Sequence, residues 1–196
     1  MSDKKNEIPN KAKAALLLID VITDFDFEDG DKLLKYALPM ARRLSKLREA
    51  AKKAGIPVIF VNDNFGNWQE DFKTIVKHFL RPAAKGREIV RLLKPDEDDY
   101  YILKPHRSAF YSTSLMLLLE NLGVKTLILT GITTDICILF SANDAYMRGF
   151  RLWIPQDCVS AVKTAYTKSA ISFIERVLKA DIRASTHATL HRFTSI

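Results

Sequence analysis

Histidine, cysteine and glycine are scarce in this 196-residue chain, which holds four, two and seven of them. Each shortage removes a class of protein. Two cysteines, Cys137 and Cys158, do not make a disulfide scaffold, and both are expected as free thiols, one of them a candidate for reactivity. The N-terminal stretch MSDKKNEIPNKAKA has no secretory apolar segment, and no apolar run approaches the ~20 residues of a spanning helix. The expected location is cytoplasmic, without membrane contact. The histidines, His78, His106, His187 and His191, show no paired ligand spacing, so no metal is expected. No G-x-G-x-x-G follows the first strand pattern either. The residues there, DVITDFDFEDG, give a backbone no approach to a pyrophosphate, which argues against a dinucleotide-binding dehydrogenase. No cofactor is expected.

Charge is plentiful but unpatterned. Thirty basic and 23 acidic residues leave a net +7, yet the Lys and Arg are spread along amphipathic segments such as ARRLSKLREAAKKAG, where they read as a solvated helix face. Without a helix-turn-helix, zinc-finger or basic-aromatic motif, nucleic acid is not an expected partner. With 47% hydrophobic residues, the chain suits one domain with a sizeable core, expected over 14–196 behind a flexible tail at 1–13.

Short apolar runs alternate with helical patterns along the chain. AALLLID (14–20), IPVIFVND (56–63), DYYILKP (99–105), VKTLILTG (124–131) and FRLWIP (150–155) read as strands, and IRASTHATL (182–190) as a sixth. Between them lie helical patterns: residues 31–54 stopped by Gly55, DFKTIVKHFL, REIVRLLKP, a helix capped at Ser112 or Thr113, one over 135–148, and TAYTKSAISFIERVLKA. Alternation of this kind predicts a doubly wound α/β/α domain of about six parallel strands; with the order 3-2-1-4-5-6, strands one and four would be neighbours at the switch point.

In such a sheet, ligands bind beyond the carboxyl ends of the strands, near the point where strand order reverses. Three residues fall there: Asp20 closes strand one, Lys104 closes strand three, and Cys137 opens the helix after strand four. A cysteine in that position is either small core filler or a nucleophile. Cys158, without an acid or base motif, reads as core. Asp24 competes with Asp20 but sits in the loop beyond the strand, as a turn or cap residue would. Lys104 alone reads as a strand-end lysine reaching solvent.

Taken together, ALLLIDVITDF, LKPHRSAFYSTSL and LTGITTDICILFSANDAYMRGF resemble the three signature stretches of the isochorismatase-like cysteine hydrolase family. The resemblance runs from about Ala14 to Leu178. It implies an Asp20-Lys104-Cys137 triad, a cis peptide at Ile132–Thr133, and a homo-oligomer, dimer or higher. The cis bond would aim the backbone N–H of Thr133, with that of Cys137, at one spot as an oxyanion hole. Beside this, the helix dipole and Lys104 are expected to lower the Cys137 thiol pKa, and burial to raise that of Asp20. Because Lys104 ends an edge strand two strands from Asp20, roughly 10 Å away at ordinary spacing, the loop 105–111 is expected to lean over the sheet.

Departures from the family narrow the reading. Nicotinamidases carry Asp-x-His and a further His after strand two, forming a metal site; VNDNFGNWQEDF lacks those histidines. Isochorismatase proper cleaves a vinyl ether and lacks this cysteine, so Cys137 favours the amide-cleaving branch. The pocket is expected to use Phe25, Trp68, Phe110 and Tyr111 from strand-end loops, with His106 and Arg107 as candidates for a carboxylate or carbamoyl group. The expected partner is a small-molecule amide, ureido or carbamoyl substrate. Alternatives are a non-catalytic binding or scaffolding protein on the same fold and a vinyl-ether-cleaving hydrolase.

Overall fold

The computed structural model describes residues 13–64, 66 and 71–194. Trp68 and most of the expected N-terminal tail lie outside them. Six strands form one parallel sheet: β1 (Ala14–Ile19), β2 (Val58–Asp63), β3 (Tyr100–Lys104), β4 (Thr126–Ile132), β5 (Arg151–Trp153) and β6 (Val159–Ser160). The order is β3-β2-β1-β4-β5, and β6 also pairs with β4. β5 takes Thr126–Ile128 of β4, and β6 takes Gly131–Ile132 further along.

β1 shows why these strands read as unbroken apolar runs: all six of its residues are buried, because helices cover both faces of the sheet. Leu16 and Leu18 point toward α1 (Gly30–Lys53), α2 (Phe72–Phe79) and α3 (Arg87–Leu92). Ala15, Leu17 and Ile19 point toward α4 (Leu115–Asn121), α5 (Leu139–Met147) and α6 (Thr164–Leu178). α1 buries Leu33, Ala37, Met40, Ala41, Leu44, Leu47 and Ala51, the three- and four-residue spacing of one helical face.

The central strands meet closely where the site lies. Gly131 has φ +115°, and a Cβ there would sit 2.0 Å from the Ile19 carbonyl oxygen. Only glycine lets β4 pass this close to the end of β1.

Two sequence expectations need correction. The segment read as a sixth strand, 182–190, adds no strand to the sheet: one bridge, Asp181 to Trp153, stands just before it, and the chain then leaves the sheet for α7 (His187–Thr194). Asp157 draws it away by accepting from the Ser185 N–H and hydroxyl. The true sixth strand, Val159–Ser160, is too short to show alternation. The helix expected over 135–148 is split: Thr134–Ile138 form a π-helical turn before α5 begins.

Candidate active site

Asp20, Lys104 and Cys137 converge at the carboxyl ends of β1, β3 and β4. Asp20 follows β1 with a left-handed φ of 53°, and its N–H still donates to Val61 O at 2.9 Å. This turn presents the carboxylate to the site. One oxygen accepts the Asp63 N–H at 2.8 Å, and the other lies 2.9 Å from Lys104 Nζ. The buried side chain of Asn62 fastens the loop beyond by donating to Ile22 O and accepting from Ile22 N.

Lys104 is fully buried. Its Nζ also donates to His106 O at 3.0 Å, and lies 3.5 Å from Asp63 Oδ2 and 3.9 Å from Cys137 Sγ. The lysine's own stem therefore closes the gap from the edge strand. The loop 105–111 does not need to lean over the sheet, and supplies the His106 carbonyl.

Cys137 sits in the π-helical turn after β4. The Ile132–Thr133 peptide is cis, and Thr133 O accepts from Ile136 N and Ile138 N. Thr133 Oγ1, Thr134 Oγ1 and Asp135 Oδ1 are buried without a hydrogen-bond partner, so the turn keeps polar capacity.

The electrostatics reverse one expectation. The Cys137 thiol is not lowered: burial first, and the Asp20 charge second, push it up to about 12 against the pull of Lys104. Burial also raises Asp20, although Lys104 and Cys137 favour its charged form. For Lys104 burial opposes the ammonium, but Asp20, Cys137 and Asp63 outweigh it and raise its pKa. The raised thiol and ammonium pKa values keep Cys137 and Lys104 protonated at rest, beside the Asp20 carboxyl group. Cys158 is fully buried and likewise pushed up to about 12, chiefly by burial.

Two of the expected pocket aromatics are core residues. Phe25 is fully buried in the α1–α3 core; its left-handed backbone, φ 60°, turns the ring inward, with Gly86 packed against it. Phe110 is buried with Phe150 and beneath the Arg148 guanidinium. Tyr111 is exposed and meets the ring of His106 edge-on at 5.4 Å, beside the carbonyl that holds Lys104. Arg107 is exposed. Asp24 accepts from the Asp26 N–H in an exposed turn.

Sequence reasoning missed Asp63 and Asn62. Asp63 closes β2 as Asp20 and Lys104 close their segments, so strand-end position was the available signal. Among the described residues, the three acids spaced to hold a metal are Asp96, Asp98 and Asp99, away from this site. Lys52 binds all three, and Arg48 joins Asp96 and Asp99.

A parallel sheet covered on both faces, with its reactive groups gathered beyond the strand ends, defines a doubly wound α/β protein of the ligand-processing kind. The isochorismatase domain matches residues 14–182, and the chain belongs to the isochorismatase family of hydrolases. It is 39% identical over 173 residues to the uncharacterized isochorismatase family protein YaaI of Bacillus subtilis (strain 168), covering 88% of this chain and 94% of that one. N-carbamoylsarcosine amidase from Thermoplasma acidophilum has a similar solved structure, with TM-score 0.67, 26% identity, and coverage of 89% and 98%. So has pyrazinamidase/nicotinamidase from Streptococcus mutans UA159, with TM-score 0.67, 27% identity, and coverage of 86% and 99%. No helix among the described residues is long and apolar enough to cross a membrane.

Proposed function

We propose that this hydrolase cleaves a C–N bond of a small amide, ureido or carbamoyl compound through a thioester on Cys137. The observation that carries this reading is the placement of Lys104 Nζ, 2.9 Å from the Asp20 carboxylate and 3.9 Å from the Cys137 sulfur. The amidases among its structural relatives support it.

Asp20 accepts the thiol proton as sulfur attacks the carbonyl carbon. The oxyanion forms against the Thr133 and Cys137 amides, each donor worth about 3 kcal/mol in the transition state. Collapse breaks the C–N bond as Asp20 returns the proton to the departing nitrogen, releasing ammonia or an amine. Asp20 then takes a proton from water as its oxygen attacks the thioester, and that proton returns to the sulfur as the acid leaves. A raised Asp20 pKa suits a group that must both accept and donate. Lys104 remains ammonium and favours the ionised form of Asp20 between proton transfers.

Incubation with an amide and ureide library, followed by mass spectrometry of the intact protein, tests the proposal. The expected result is turnover with an acyl adduct on Cys137 that Cys137→Ala abolishes. Hydrolysis surviving in Cys137→Ala would end the thioester mechanism, and absence of turnover across the library would favour a binding role.

A further inference from the structure

The chain after β3 forms no helix or strand from residue 105 to 114, so regular backbone pairing does not hold this loop. Side chains do. Ser141 Oγ, fully buried, accepts from the Ala109 N–H at 2.9 Å. Ser108 Oγ accepts from the Phe110 N–H at 3.1 Å and donates to one oxygen of the Asp144 carboxylate. The other oxygen accepts from Arg148 Nη1 at 2.6 Å, and that guanidinium covers the Phe110 ring at 4.9 Å. Ser141, Asp144 and Arg148 have the three- and four-residue spacing of side chains on one helical face, here the face that α5 and its cap turn to the loop.

This fastening joins two parts of the site. α5 starts at Leu139, directly after the turn that carries Cys137. Two residues before Ser108, the loop presents the His106 carbonyl that accepts from Lys104 Nζ at 3.0 Å. Holding the loop on α5 thus fixes the acceptor of the ammonium relative to the helix behind the nucleophile. We propose that Ser108 and Asp144 are positioning residues: by anchoring the loop they keep the His106 carbonyl on Lys104, and so set the reach of its ammonium to Asp20 and the Cys137 sulfur. For turnover, the inference rests on the thioester reading given above. Misplacement of a reacting group by about 1 Å can cost ~10²-fold in rate, so a slack loop is enough to slow the reaction.

Iodoacetamide labelling of Cys137 at one pH, beside steady-state kinetics, tests the proposal. Lys104 favours the thiolate, so an ammonium drawn away should slow labelling. Ser108→Ala and Asp144→Ala should each label at least ~3-fold more slowly and lose at least ~10-fold in kcat, with KM within about 3-fold of wild type. The double variant should be little worse than either single, because both remove the same bond. Asp144→Asn keeps an oxygen for the Ser108 hydroxyl and should retain about half or more of the wild-type kcat and labelling rate. A network that served folding alone gives the opposite labelling result, since a loosened site exposes the thiol. Circular dichroism establishes that each variant is folded, and Ser108→Ala, which deletes a single oxygen, carries the test if Asp144→Ala does not fold. Labelling needs no substrate: slowed labelling in a protein without amidase turnover supports the positioning and removes the amide reading alone. Labelling at or above the wild-type rate in folded Ser108→Ala, or slowed labelling with a wild-type kcat, would overturn the proposal.

Discussion

Replacing Lys104 by methionine keeps an apolar stem in the buried position and removes one charge. Its Nζ serves Asp20, His106 O and Asp63 at 2.9, 3.0 and 3.5 Å, and the Asp20 side chain is only 16% exposed. Leaving that carboxylate without its cation should cost about 3–5 kcal/mol, a large share of the roughly 5–15 kcal/mol that holds a domain folded. The pH dependence follows from the raised Asp20 pKa, which rises further without Lys104. A carboxyl whose folded pKa exceeds its unfolded value binds more protons when folded, so stability falls as pH rises above the ordinary carboxylate range. The deficit of Lys104→Met should therefore be larger at neutral pH than in acid. Turnover should drop at least ~10³-fold, because a protonated Asp20 cannot accept the thiol proton. Urea unfolding at several pH values measures the first effect and steady-state kinetics the second. Adding Asp20→Asn removes the orphaned charge, so the double variant should regain most of the lost stability while staying inactive. A Lys104→Met protein as stable as wild type, or a double variant losing the sum of the two single deficits, would refute the buried-pair reasoning.

Cys158→Ala should leave turnover unchanged. Because burial pushes that thiol from 9.0 up to about 12, the folded chain keeps a proton that the unfolded chain loses, and the variant should lack up to ~4 kcal/mol of the stability decline between pH 9 and 12. Gly131→Ala should be severely destabilised, since the added Cβ would lie 2.0 Å from Ile19 O at a φ of +115°; a midpoint within a few degrees of wild type would show that β1 and β4 separate easily. Activity should persist after exhaustive chelation, and loss on chelation with recovery on adding zinc or iron would show that residues after β2 bind metal.

The sheet was legible because parallel strands buried on both faces leave continuous apolar runs, and because Gly55 and Gly123 end helices. β6 was not: two residues carry no periodicity, and its place is set by Gly131 N donating to Cys158 O. The site residues could be placed at strand ends by topology, but not the direction of their side chains. Phe25 follows a strand end as a pocket residue would, yet a left-handed φ sends its ring into the core, and nothing in the sequence near it announces that turn. Lys104 looked too distant because strand spacing counts backbones, whereas its stem lies along the buried sheet end.

The thiol pKa was misjudged for a related reason, and correcting it gives the test that best separates the roles in the site. Helix dipole and lysine are visible in a sequence, while burial and the sign of the nearest carboxylate are not. A thiol pushed up to about 12 is far less ionised at pH 7 than an ordinary one, so attack by a preformed thiolate would carry a large penalty. On the proposed mechanism, Asp20 takes the proton during attack. It follows that Asp20→Asn acts in opposite directions on two reactions of the same sulfur. Removing the carboxylate charge removes one cause of the raised pKa, so iodoacetamide, which reacts with the thiolate population, should label Cys137 faster in the variant at a given pH. Amide hydrolysis, which needs the proton acceptor, should fall at least ~10³-fold. Labelling rates against pH, followed by mass spectrometry beside turnover of one substrate, decide the matter. If labelling and turnover fall together in Asp20→Asn, the carboxylate sustains a resting thiolate and the thiol is not held high by its charge.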